Sequence, residues 1–200
     1  MTDRFSNLTK IPDLPAARML ADANVKLKTP LDAPASAKAP VVLGELDSKD
    51  AWVDMLMLLG VILPARERTW WACLAARDYV GPKSDADPLP LTLAEAWVFK
   101  PTDDNRQQLR AAMDHAAAED DTVHCARAAL FGDGTLGPGD MREHAAPAGA
   151  AELSAFAMNM VALNKLSDRF EEHKTLLIDR ALDIARGGNG RVGTKPQAKE

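Results

Sequence analysis

The side chains best suited to chemistry in this chain are few: His115, His124, Cys125 and His144. Imidazole and thiolate form a zinc set when their spacing makes them converge on one ion. Adjacent helical residues point about 100 degrees apart, so His124 and Cys125 diverge, and the four lack the short ligand spacing of zinc motifs. They stand as the alternative reading, a small helical metal-binding protein or enzyme. His115 and Glu119 are four apart, a spacing that ordinary solvated helix faces also show. The loop from Asp133 to Asp140 combines acids with glycines. It has no closing Glu for calcium and no Lys with a following helix for phosphate, so a tight turn is expected. No Gly-x-Ser-x-Gly elbow or helical His-Glu-x-x-His occurs. Glu67, Asp78 and Glu95 make a carboxylate set only if folding gathers them. Cys73 and Cys125 sit isolated in helical patterns and read as reduced, buried small hydrophobes rather than a redox pair. No catalytic residue, cofactor or metal is assigned, and the expected protein is non-enzymatic.

Tryptophan is the more informative residue type. Trp52, Trp70, Trp71 and Trp97 are four of the ten aromatic side chains. Trp70 and Trp71 are neighbours on one helix and cannot face the same core, so one of them borders the surface or a groove. There its area and indole N–H suit a protein partner. Trp70, Trp71, Arg77 and Trp97 are accordingly the candidate partner-binding residues. Arg66 and Arg77 are placed to stack on the rings or to pair with Glu67 and Asp78.

These residues sit on helices. Asp13 and Pro15 open a short one with Met19, Leu20 and Ala23 on its apolar face. Residues 28–46 are rich in Pro, Ala and Lys and read as an extended connector. Trp52, Met55, Leu56, Leu59 and Leu63 then form a helical stripe, capped by Asp47 or Ser48. A second helix runs from about Pro64 to Val80 and stops at Gly81. Thr92 and Glu95 have the spacing of a capping box, with the helix ended by Pro101. Thr102 and Asp103 cap the next, and Asp120 or Asp121 caps one from Val123 to Phe131. Alternating steps of three and four run from Leu153 to Ile184, with a break near Asn164–Ser167, and Gly187 and Gly188 end the last helix. The Met158–Met160 stretch is assigned to the core.

Composition agrees with this layout. The chain is 46% hydrophobic but only 5% aromatic, which leaves little of the stock that sheets use. Its 200 residues suffice to bury roughly 70% of the unfolded surface without disulfides. The expectation is an all-α bundle or orthogonal array of six to seven helices: residues 1–46 a short helix and connector, 47–187 the helical domain, 188–200 a flexible basic tail. The net charge of -5 falls in residues 101–150, and the only basic tract is the tail, with Arg186, Arg191, Lys195 and Lys199. That balance argues against nucleic acid and against an anionic membrane face as partners. The longest apolar run, Met55 to Leu63, is about half a bilayer span. No signal peptide is read, and the cytoplasm is the expected location.

Three stretches carry a resemblance: Trp-Trp-Ala-Cys-Leu-Ala-Ala-Arg at 70–77, Ala-Glu-Ala-Trp at 94–97 followed by Pro101, and Ala-Leu-Asp-Ile-Ala-Arg-Gly at 181–187. Over residues 48–188 the chain resembles a small uncharacterised all-helical bacterial family associated with type VI secretion gene clusters. The resemblance implies an accessory or adaptor role with a protein partner, and no catalytic residue comes with it. The chain departs from the family pattern at Leu130-Phe-Gly-Asp-Gly134, where a Trp-containing turn is expected.

Overall fold

The computed structural model describes residues 4–192. Within them the chain is all-α, with nine α-helices where six to seven were expected. In order they are α1 (Ala16–Asp22), α2 (Ala39–Ser48), α3 (Trp52–Ile62), α4 (Ala65–Val80), α5 (Leu89–Phe99), α6 (Asp103–Asp114), α7 (Val123–Leu130), α8 (Ala150–Lys165) and α9 (Phe170–Ala185). Short 3-10 turns cover Gly139–Glu143 and Ser167–Arg169. The second of these is the break expected in the final apolar pattern.

The centre of the molecule is the packing of α4, α7 and α8 on one another. Their contacting faces are largely alanine: Ala72, Ala75 and Ala76 on α4, Ala126, Ala128 and Ala129 on α7, Ala151, Ala155 and Ala162 on α8, all buried. Small side chains let helix axes approach closely, and Trp71 and Met158 fill the remaining space. α3 is apolar almost all round and buries Met55, Leu56, Leu58, Leu59, Val61 and Ile62, as a helix enclosed on several sides must. Gly60 is its point of closest approach to α8. A Cβ there would stand 3.2 Å from the Glu152 carbonyl oxygen.

The chief difference from the sequence reading lies in residues 28–46. They are not an extended connector, because α2 occupies Ala39–Ser48 and buries Val42, Leu43 and Leu46. Pro40 sits at the start of α2, where a missing N–H costs nothing, so a residue read as part of the connector begins a helix. The loop before it is held by carboxylates. Both Asp54 oxygens accept from the Lys28 and Thr29 amides at 2.7–3.1 Å, and Glu45 accepts from Asp32 and Ala33 at 2.5 and 2.9 Å. The first residues are also part of the body: Phe5 and Leu8 are buried, and the Lys10 amide donates to the Ala185 carbonyl that ends α9.

Helix boundaries show further departures, among them the cap of α7, which is Thr122 where Asp120 or Asp121 was expected. Thr92 and Glu95 form no capping box, because α5 already begins at Leu89; Thr92 donates back to Pro88 and Glu95 pairs with Arg77. The N-cap of α3 is Ala51, since Asp47 and Ser48 belong to α2. Thr102 does cap α6, accepting from the Asn105 amide.

Helix C-termini that end inside the molecule are satisfied by arginines. Arg68, buried on α4, donates to Gly60 and Val61 at the end of α3 and pairs with Glu152 of α8 at 2.8 Å. Arg106 of α6 donates to the Leu130 carbonyl at the end of α7 and holds Asp133 beyond it. These donors meet carbonyls that have no intrahelical partner and place positive charge at the negative end of each helix.

Two outcomes check this description. Leu43→Ala lowers stability to urea by about 2–5 kcal/mol, as a filled core position requires and a solvated connector does not. Glu45 supplies the second. The hydrogen bond from Lys49, followed by that from the Asp32 amide, lowers its carboxyl from 4.5 to about 2. A pKa depressed in the folded state adds stability above 4.5 that is lost as pH falls toward 2. The wild-type urea midpoint therefore falls across that window more steeply than that of Glu45→Gln.

Candidate functional site

The candidate site begins at the first turns of α4. Positions 70 and 71 diverge by about 100 degrees, which sends Trp71 inward and leaves Trp70 on the border. Trp71 is fully buried and donates its indole N–H to the Leu177 carbonyl of α9 at 2.9 Å. Trp70 is partly exposed and donates to the Asn189 carbonyl at 2.8 Å. With its one donor committed, Trp70 offers a partner only its ring.

That ring forms the floor of a groove of ≈360 Å³. One wall is the end of α5, where Phe99 lies edge-to-face on Trp70 with centroids 6.1 Å apart and is itself 72% exposed. Arg66 fixes this wall by donating from Nε to the Val98 carbonyl at 2.6 Å. The other wall is the segment after α9, with Gly188, Asn189 and Arg191. Residues 188–191 are thus built into the body where a flexible tail was expected. The Gly188 amide bonds the Asp183 carbonyl and the Gly190 amide bonds the Asp183 carboxylate, both at 2.8 Å. Lys195 and Lys199, the remaining cations of the expected basic tail, lie outside the described residues.

The four residues picked from sequence therefore separate. Trp70 lines the groove. Trp71 is enclosed, and Trp97 is buried with its N–H unpartnered. Arg77 is held by Glu95 at 2.7 Å and by Asp87 at 2.7 Å, and so ties α4 to α5 and the loop before it. Neither Arg66 nor Arg77 pairs with Glu67 or Asp78. Phe99 was passed over. Trp97, Val98 and Phe99 together sweep about 200 degrees of a helix, so one of the three had to face outward.

The imidazole and thiol candidates do not converge. His115 and His144 are exposed, His124 is half-buried, and Cys125 is enclosed. Among the described residues no group of three or more His, Cys, Asp or Glu is arranged to hold a metal ion. His115 is the cap that ends α6, so Glu119 does not lie one helical turn beyond it. The two cysteines, by contrast, do meet. Cys73 of α4 faces Cys125 of α7, and burial first, then the neighbouring thiol, pushes Cys73 well above its ordinary range. A thiol kept protonated in this way is a poor nucleophile.

One cluster was missed outright. His173 of α9 hydrogen-bonds Asp78 of α4 at 2.7 Å, and Arg180 grips the same carboxylate at 2.5 and 2.8 Å. Burial works to raise Asp78, but the bonds from His173 and Arg180 outweigh it and hold the carboxyl below its ordinary value. A pocket of ≈190 Å³ adjoins, lined by Asp78, Leu166, Arg169, Glu172, His173 and Leu176. The 95-residue separation of Asp78 and His173 hides this cluster from any local motif.

A family model described as a family of unknown function, DUF6931, matches residues 42–185. The chain belongs to this family. No curated protein and no solved structure matches it. The DUF6931 match opens inside α2 and closes on the last residue of α9, so it takes in Arg66, Trp70 and Phe99 and stops before Gly188. The groove thus has a floor and one wall within the DUF6931 span and a second wall beyond it.

The second wall yields a prediction. Gly190 has φ +73, and a Cβ there would come 2.7 Å from Leu74 and 2.9 Å from Ile184. Gly190→Val costs about 1–3 kcal/mol and frees the Trp70 indole, seen as a red shift in tryptophan emission that is absent in Gly190→Val combined with Trp70→Phe.

Proposed function

We propose that this DUF6931 protein is a non-enzymatic protein–protein interaction or accessory protein of the cytoplasm, and that it docks its partner on the groove between α4 and α5. The observation that carries this is Phe99. A phenylalanine 72% exposed lies edge-to-face on a tryptophan and beside an arginine, and tryptophan and arginine are among the residue types that dominate binding energy at protein interfaces. An apolar side chain left in water at a helix end costs free energy that a partner removes.

Two features support placing the function here rather than elsewhere. Arg66 and Trp70 commit donors to the protein's own carbonyls, so the groove keeps its shape without a ligand and a partner orders little on binding. Among the other conspicuous polar groups, Arg77 ties α4 to α5 and the Asp78 carboxylate ties α4 to α9 through His173 and Arg180. The likeness to a bacterial family of type VI secretion gene clusters suggests the setting, an accessory protein of that machinery. No helix among the described residues is long and apolar enough to cross a membrane.

Affinity purification of the tagged chain from its native cytoplasm, followed by mass spectrometry, tests the proposal. A stoichiometric partner is expected with wild type and reduced about tenfold or more with Phe99→Asp or Trp70→Ala, while the thermal midpoints of both variants show that they remain folded. Undiminished recovery of the partner by both variants contradicts the proposal.

A further inference from the structure

We infer that the Trp70–Phe99 groove is built for an acidic peptide segment, one that carries a large apolar side chain beside a carboxylate. The groove is the one assigned above to a protein partner, so the inference rests on that assignment and adds the partner's chemistry to it.

Charge complementarity selects this occupant. The chain is acidic overall, at net -5, yet the groove and its rim are locally cationic. Arg66 and Arg191 line it and exposed Lys100 directly follows Phe99, while the acids there are Glu67 on the lining and Asp183, whose carboxylate is taken up by the Gly190 amide. The state of Arg66 is the decisive detail. Arg68, Arg77, Arg106 and Arg180, all in the same body, have carboxylates within ion-pair distance. Arg66 has none among the described residues, and its one bond inside the protein runs from Nε to the Val98 carbonyl. That bond orients the guanidinium and leaves its terminal nitrogens for a ligand. A guanidinium fixed in this way accepts a carboxylate as a two-pronged pair. Lys100 likewise has no ion pair among the described residues. An apolar residue of the incoming segment covers the Phe99 ring while its neighbouring Asp, Glu or terminal carboxylate meets Arg66.

The probe is a displayed library of random twelve-residue peptides, selected on the full chain and counter-selected on Phe99→Ser. The expected consensus has a large apolar residue next to or one removed from an acid. The synthesised consensus peptide, labelled for fluorescence anisotropy, is expected to bind Arg66→Ala and Lys100→Glu each about tenfold more weakly and to lose affinity as salt rises. Lys100→Glu is the safeguard, because among the described residues no hydrogen bond or ion pair depends on that side chain. A Phe99-dependent consensus without acids overturns the inference and leaves the interaction proposal standing. An acidic consensus that both charge variants bind as wild type does overturns it as well. A library yielding nothing that distinguishes wild type from Phe99→Ser removes the inference and the groove together.

Discussion

Short helices that end inside a molecule create a debt of carbonyl oxygens, and this fold is organised around meeting it. The Ala-rich faces of α4, α7 and α8 allow close packing, which leaves helix ends without water. An unpaired carbonyl there costs as much as a lost hydrogen bond. Arginine suits the task because one guanidinium offers five N–H groups in a fixed plane and reaches a carbonyl and a carboxylate together. Arg68 joins α3, α4 and α8 in this way, and Arg106 joins α6 to α7 and the following loop. Trp71 makes a bond of another kind, its indole N–H reaching the mid-helix Leu177 carbonyl of α9 from inside the core.

The groove is a surface instance of the same rule. Arg66 and Trp70 donate to Val98 and Asn189, and these bonds hold both walls in place. What remains outward is whatever the internal bonds do not use: a tryptophan ring, the Phe99 ring, and the far edge of a guanidinium. The proposed role follows from this division between committed and uncommitted atoms. Asp78 sits on the other side of it, its carboxylate taken up by His173 and Arg180.

The sequence conveyed the helical class and most helix positions because apolar spacing and end signals are local. Thr102, Gly81 and the break before Phe170 all behave as their types suggest. α2 was illegible because the Pro- and Ala-rich composition of residues 28–46 is that of a connector, and only the burial of Val42, Leu43 and Leu46 shows that Pro40 starts a helix. Thr92 and Glu95 misled for a related reason: the spacing of a cap recurs in helix interiors, and the tertiary partner Arg77 decides what Glu95 does. At the site, the divergence of Trp70 and Trp71 was legible from helix geometry. Which of them faced inward depended on α9, a hundred residues away. Phe99 and His173 depend on distant packing in the same way, so no local pattern marks them.

The groove depends on which aromatic side chains water reaches, and hydroxyl-radical footprinting of the free chain reads that directly. Phe99 is predicted to be the aromatic least shielded among the groove and core residues, Trp70 to show intermediate protection, and Trp71 and Trp97 to be strongly protected. Oxidation of Trp71 or Trp97 at the rate of an exposed side chain, or strong protection of Phe99 in the monomer, would contradict that arrangement.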